Sequence, residues 1–247
     1  MGVDLWVPKT GRDAGAGEGR FGNRGSSFED SQPLNAALPV VKVEGSPTAI
    51  ETAFTPALDS VESLGWDELH ETVVSCRDCS LHQTRTQAVF GVGDRNASLM
   101  VIGEAPGADE DRQGEPFVGR AGQLLNAMLE AIGFAREQVY IANIIKCRPP
   151  GNRDPHIEET AACQPFLHRQ IALLQPRLIL SVGRISAHNL LGTEEAVGRL
   201  RGRVHRFDPG DIPLIVTYHP AYLLRRPQEK SKAWQDLQAV YRQLNQA

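Results

Sequence analysis

Ser98-Leu99-Met100-Val101-Ile102-Gly103-Glu104-Ala105-Pro106-Gly107-Ala108-Asp109-Glu110-Asp111 decides the architecture. The apolar run 98–102 is short and ends at a glycine, so it reads as a buried strand of an α/β sheet, and the acid-rich, turn-forming loop behind it leaves the strand's carboxyl end. Open sheets of this kind bind ligands there. Asp109 and Asp111 read as a solvated surface. Glu104 is different: it lies one residue past a buried strand, between glycines that let backbone and ligand come close, where an idle charge would be costly.

Outward from this stretch, Val139–Ala142, 178–183 and Leu214–Thr217 read as further core strands and Arg203–Phe207 as a short edge strand. Helical spacing covers Leu124–Ile132, stopped by Gly133, then about 157–174, a segment ending at Leu191, and about 229–244. Strands alternating with helices predict an α/β fold: a central, mostly parallel β-sheet sandwiched by helices. Upstream, Trp66, Leu69, Val73 and Val74 share helical spacing. Residues 1–60 are rich in Gly, Pro, Ser and Asp without an apolar period and read as a disordered N-terminal tail or linker; the short apolar piece Leu38–Val43 could grip a protein partner but reads first as uncommitted linker. The folded domain is expected over 61–247.

The formal charge of −4 and pI near 6 argue against a basic nucleic-acid coat. Arginines nevertheless gather locally, at Arg199, Arg201, Arg203 and Arg206 and again at Arg225 and Arg226; such patches are by themselves weak signals of a phosphate-binding surface. No stretch approaches the roughly 18 apolar residues that span a bilayer, and the N-terminus lacks an apolar core behind a basic end. A cytoplasmic, nucleoid-associated monomer with no membrane partner is expected.

Cys76 and Cys79 form a C-x-x-C; Cys147 and Cys163 follow far downstream. Disulfides suit a reducing compartment poorly, and a thioredoxin-like pair would open a helix after the first strand instead of preceding that strand. By count the four thiolates suit a zinc ion or a [4Fe–4S] cluster equally. The spacing leans to the cluster, because zinc sites usually draw on two compact knuckles whereas Cys147 and Cys163 bracket a loop and a helix start.

Taken together, Cys76-x-x-Cys79, Gly103–Gly107 with Glu110 and Asp111, Gly114-Glu115-Pro116-Phe117-Val118-Gly119, Asn143–Arg153, Cys163–Leu167 and His219-Pro220-Ala221-Tyr222-Leu223-Leu224 resemble the iron–sulfur, family 4 uracil-DNA glycosylases. The resemblance runs over residues 70 to 242 in order. It implies excision of uracil from single- or double-stranded DNA in base excision repair, and a structural [4Fe–4S] cluster on Cys76, Cys79, Cys147 and Cys163. It also implies a uracil pocket in which Gly103, Glu104 and Ala105 line the wall, Phe117 stacks on the flipped base, Asn143 reads its polar edge and His219 faces its O2. Ala105 stands where the best-known branch has an aspartate, which leaves any general base unassigned. His156 lies where a related branch has a covalent histidine, but lacks that branch's basic run and reads as a surface residue.

These residue types fit the chemistry. A base inside a duplex must be extruded before it can be cut; an aromatic ring offers it a sequence-tolerant face; an amide carries the donor and acceptor that match O4 and N3–H. A histidine can donate to the oxygen where charge gathers, as in an oxyanion hole, and Glu104 can balance the electron-deficient sugar. Leu223 and Leu224 suggest an apolar wedge, although ordinary core at a helix start would look the same in sequence, with Arg225 on phosphate. The alternatives are a non-catalytic Fe–S or zinc DNA-binding module associated with replication, and a Mg²⁺-dependent nucleotide hydrolase, for which no phosphate-cradling G-x-x-x-x-G-K-[ST] is present.

Overall fold

The computed structural model describes residues 61–245, so the tail expected over 1–60 lies outside the described residues. Strands β1 (Val92–Gly93), β2 (Leu99–Gly103), β3 (Tyr140–Asn143), β4 (Leu178–Val182), β5 (Val204–Phe207) and β6 (Ile212–Thr217) form a sheet in the order β1-β3-β2-β4-β6-β5. The four inner strands are parallel; β1 on β3 and β5 on β6 are antiparallel edges. The helices are α1 (Trp66–Ser75), α2 (Ala108–Gln113), α3 (Arg120–Glu130), α4 (Ile157–Leu174), α5 (Arg184–Leu191), α6 (Val197–Leu200), α7 (Pro220–Arg225) and α8 (Lys230–Asn245).

Every position of β2 and β4 is buried because helices cover both faces of the sheet. Alternate side chains feed two cores. Met100, Ile102, Ala142, Ile179 and Val216 pack with α1, α4 and α5, while Leu99, Val101, Ile141, Leu180 and Ile215 pack with α3, α7 and α8. From β2 the chain steps outward to β3, then crosses to β4 on the other side of β2. The connections leaving β2 and β4 therefore diverge, and a crevice opens at the carboxyl ends of the strands.

Two expectations are corrected. The acid-rich loop stops at Gly107: Ala108–Gln113 is helix α2, with Gly107 as its N-cap and Glu110 at the third position accepting the Gly107 N–H at 3.1 Å. Asp111, expected in solvent, is 4% exposed and accepts the Thr86 N–H at 2.8 Å. The arginine run also differs from a free basic patch. Arg203 and Arg206 pair with Glu195 and Asp211, and Arg201 turns inward.

Arg201 Nε and Nη2 donate to the two oxygens of buried Asp236 at 3.0 and 2.9 Å, and Thr217 Oγ1 donates to the same carboxylate at 2.9 Å. This network pins α8 to the end of β6, two residues before His219. Removing one member of a buried pair strands the other, at a cost of about 3–5 kcal/mol. Asp236→Ala is therefore expected to lower the unfolding free energy in urea by about 3 kcal/mol. Breaking the exposed Arg95–Asp67 pair by Asp67→Ala should move it by less than about 1 kcal/mol.

Candidate active site

Four strand ends supply a shared pocket: Glu104 and Ala105 follow β2, Asn143 ends β3, Gly183 and Arg184 follow β4, and Tyr218 and His219 follow β6. Phe117, Glu110, Tyr222 and Arg225 complete its wall. Gly103 lies beneath: a Cβ there would sit 2.5 Å from Asn143 Oδ1 and 2.6 Å from Phe117 Cε2, so glycine is what lets amide and ring converge. Of the two leucines expected as a wedge, Leu223 is corrected. It is 1% exposed and belongs to the α3/α8 core, whereas Leu224 is 36% exposed. His156 is exposed at the start of α4, as expected.

Phe117 adopts φ +55°, a conformation that strains a bulky residue. Three contacts hold it there. Glu110 Oε1 accepts the N–H groups of Val118 and Gly119 at 3.0 and 3.1 Å. Arg136 donates to the carbonyls of Pro116 and Phe117 at 2.6 and 3.3 Å. Gly122 lets α3 close onto the turn, since a Cβ there would lie 1.7 Å from Phe117 O. The Phe117 ring then stacks against His219, with centroids 5.6 Å apart and planes 30° apart.

His219 caps α7, its Nδ1 accepting the Ala221 N–H at 3.1 Å. That bond leaves the ring proton on Nε2. Burial, reinforced by the nearby Arg225 charge, pushes the imidazole down to about 4, so it is a neutral donor. Glu104 moves the other way. Burial, and then the Asp154 charge, push its carboxyl up to about 7, while Arg184, which is paired with Asp154, pulls it back. Asn143 is 2% exposed, and among the described residues its buried Oδ1 has no hydrogen-bond partner.

On the α1/α4 side of the sheet, Cys76, Cys79, Cys147 and Cys163 are free and line one tight cavity of about 10 Å³. Arg85 Nη1 donates to Cys147 Sγ at 2.9 Å, and the Lys146 N–H donates to Cys163 Sγ at 3.3 Å. Burial holds the Cys76 and Cys163 thiols up at about 11 and about 12, so the sulfurs would become thiolates only against a positive partner. Among the described residues no three His, Cys, Asp or Glu side chains are grouped as ligands of a metal ion. Four soft sulfurs on one cavity wall, with N–H donors aimed at two of them, are a donor set that fits an iron–sulfur group.

Sequence reasoning missed Arg85, Arg136, Arg184 and Lys146. The arginines carry no local signal, because each acts on groups far away in the chain. Lys146 lies inside the Asn143–Arg153 stretch but takes no role there; it is 1% exposed.

A pocket at the strand ends of a mostly parallel α/β/α sandwich, with ring, amide and neutral imidazole around it, defines a class, and residues 90–238 match the model of the uracil DNA glycosylase superfamily. The chain is 44% identical over 186 residues to the type-4 uracil-DNA glycosylase of Archaeoglobus fulgidus, covering 73% of this chain and 92% of that protein. It is 44% identical to that of Pyrobaculum aerophilum (69% and 90% covered) and 40% identical to that of Sulfurisphaera tokodaii (74% and 84% covered). The chain belongs to the uracil DNA glycosylase superfamily and, within it, to the type-4 enzymes.

The raised Glu104 carboxyl has a thermodynamic consequence. Unfolded, a glutamate ionises near 4.5; folded, this one waits until about 7, so the native state binds the extra proton in between and stability falls as pH rises through that window. Glu104→Gln abolishes this loss. Its Tm relative to the parent protein is expected to climb from pH 4.5 to 7 in thermal melts; a constant difference would contradict the buried, proton-holding carboxyl.

Proposed function

We propose that this pocket takes a uracil swung out of DNA and that the chain hydrolyses the bond from that base to its sugar, releasing free uracil and leaving an abasic site. The chain is a DNA glycosylase, a hydrolase of N-glycosyl bonds, and acts in base excision repair. The observation that carries the reading is the unpaired, buried Oδ1 of Asn143 in a pocket wall shared with Phe117 and His219. An orphaned buried acceptor is costly unless a ligand supplies its donor. Uracil N3–H is such a donor, with O4 beside it for the amide NH₂; cytosine offers the reverse pattern.

Extrusion costs a few kcal/mol of unstacking, and stacking on Phe117 returns about 1–3 kcal/mol. As the C1′–N1 bond breaks, its electron pair leaves with the base and collects on N1 and O2, while the sugar becomes cationic. His219, neutral and with its proton on Nε2, donates to O2 as that charge grows. Glu104, ionised, faces the sugar side, balancing the cation and orienting the water that adds to C1′. Ala105 can serve neither role. Leu224 fills the gap left in the stack, and Arg225 holds a phosphate. Asp154 and Arg184 set the charge around Glu104 at the rim.

Cys76, Cys79, Cys147 and Cys163 would hold the [4Fe–4S] cluster. When bound it supplies crosslinks and no redox step, tying the segment after α1, the loop after β3 and α4 together behind the base pocket. The enzyme acts as a monomer on single- or double-stranded DNA in the cytoplasm, and any protein partner engages the segment before residue 61.

Purified protein incubated with a uracil-containing oligonucleotide in EDTA should produce an alkali-labile abasic site. Asn143→Ala and His219→Ala are each expected to slow single-turnover excision by about 10²–10³-fold, and Phe117→Ala by on the order of 10-fold. Excision at full rate in the first two variants would refute the assignment. The rate should rise with pH to a plateau above about 7 as Glu104 ionises, with Glu104→Gln slower and flat. The full chain should be brown with bound iron, and Cys163→Ser should lose both.

A further inference from the structure

Lys146 heads the fully buried side chains by volume among the described residues, and no step above uses it. Its ammonium bends back along its own segment. Nζ donates to the backbone carbonyl of Asn143 at 2.9 Å and to Gln170 Oε1 at 2.7 Å. Gln170, itself wholly buried on α4, is fixed by donating through Nε2 to Phe90 O at 2.9 Å and to the Tyr140 hydroxyl at 3.2 Å. The backbone of Lys146 meanwhile belongs to the cysteine cage: its N–H points at Cys163 Sγ at 3.3 Å, its carbonyl accepts the Val89 N–H at 2.8 Å, and its side chain lines the cavity the cysteines share.

A buried ammonium is costly, and a methionine would fill this volume without a charge to desolvate. The geometry shows what the charge does. The Ile144 and Ile145 N–H groups donate to Gly103 O and Glu104 O at 3.0 and 3.2 Å, holding the exit of β3 against β2, while the Asn143 carbonyl faces away from β2 and takes its bond from the Lys146 ammonium. We propose that Lys146 is a positioning residue for base recognition, tying the main chain of Asn143 to α4 and to the cysteine cage and so fixing where the amide meets uracil. This rests on the reading of the pocket as a uracil site. An error of about 1 Å in such a placement is enough to cost on the order of 10²-fold in rate.

The test uses the full, iron-loaded chain as Lys146→Met and Gln170→Leu, each in the parent and in the Asn143→Ala background. The readouts are iron content and visible absorbance, the inhibition constant of free uracil, and KM and kcat on a uracil oligonucleotide. Lys146→Met is expected to keep its iron, to weaken free uracil about tenfold, the size of one charge-assisted hydrogen bond, and to lower kcat more than it raises KM. Gln170→Leu should do the same to a smaller extent. In the Asn143→Ala background Lys146→Met should add less than about twofold, because it acts through a reader already gone. An unchanged uracil constant in Lys146→Met, or losses that multiply in the double variant, overturns the proposal. Should Lys146→Met fail to assemble its cage, Gln170→Leu decides, since Gln170 makes no hydrogen bond to a cysteine; a parental uracil constant there overturns the brace. A parent protein that excises no uracil would instead overturn the reading of the pocket.

Discussion

One carboxylate joins the two turns that make the pocket. Glu110 accepts the N–H of Gly107 through one oxygen and those of Val118 and Gly119 through the other. It thereby caps α2, to which it belongs, and the start of α3, which it does not, and it fixes the distance between the loop after β2 and the Phe117 turn. Hydrogen bonds to a charged acceptor contribute roughly 1.5–3 kcal/mol each, against about 1–3 kcal/mol for a residue held in a sparsely populated backbone region. Even half of the former offsets the strain at Phe117. The Phe117 ring, proposed above as the stacking face for a base, and the turn that carries it are thus positioned by a carboxylate on a different helix.

Much of this was legible in the chain. The four inner strands are apolar runs bounded by turn residues, and that pattern follows from burial on both faces, so alternation with helices gave the sheet and its carboxyl-end crevice together. What stayed illegible depends on partners remote in sequence. Asp111 looks solvated until Thr86 is brought against it. Two adjacent leucines look equivalent until α7 turns Leu223 inward and Leu224 outward. Lys146 carries no role in the chain read as a string, because only folding delivers Asn143 O and Gln170 to its ammonium. The capping box from Gly107 to Glu110 could have been read locally, since a glutamate at the third helical position is its signature; the run of acids around it hid it.

The pocket keeps two titratable groups in opposite states by one physical cause. Desolvation disfavours charge, so it strips the proton from the His219 imidazolium and keeps one on the Glu104 carboxyl. At neutral pH the imidazole is a hydrogen-bond donor with no charge to attract phosphate, and the carboxyl is poised near half-ionised. The Asp154–Arg184 pair at the rim acts on Glu104 in both directions, Asp154 raising and Arg184 lowering it.

A chain of net charge −4 that works on DNA seems contradictory only if charge is averaged. At physiological salt the screening length is about 8 Å, so a phosphate meets the rim of the pocket and not the whole molecule. That rim is sparsely basic. Arg153 is held bidentately by Glu159, Arg184 shares itself with Asp154, and Arg201 is committed to Asp236, whereas Arg225 makes no ion pair among the described residues. On the proposed reading, discrimination of uracil comes from the pocket, where stacking on Phe117 and the Asn143 amide must together exceed the cost of extrusion. A pyrimidine that leaves Asn143 Oδ1 unpaired meets the same extrusion cost with a buried acceptor still orphaned, and it falls back into the helix.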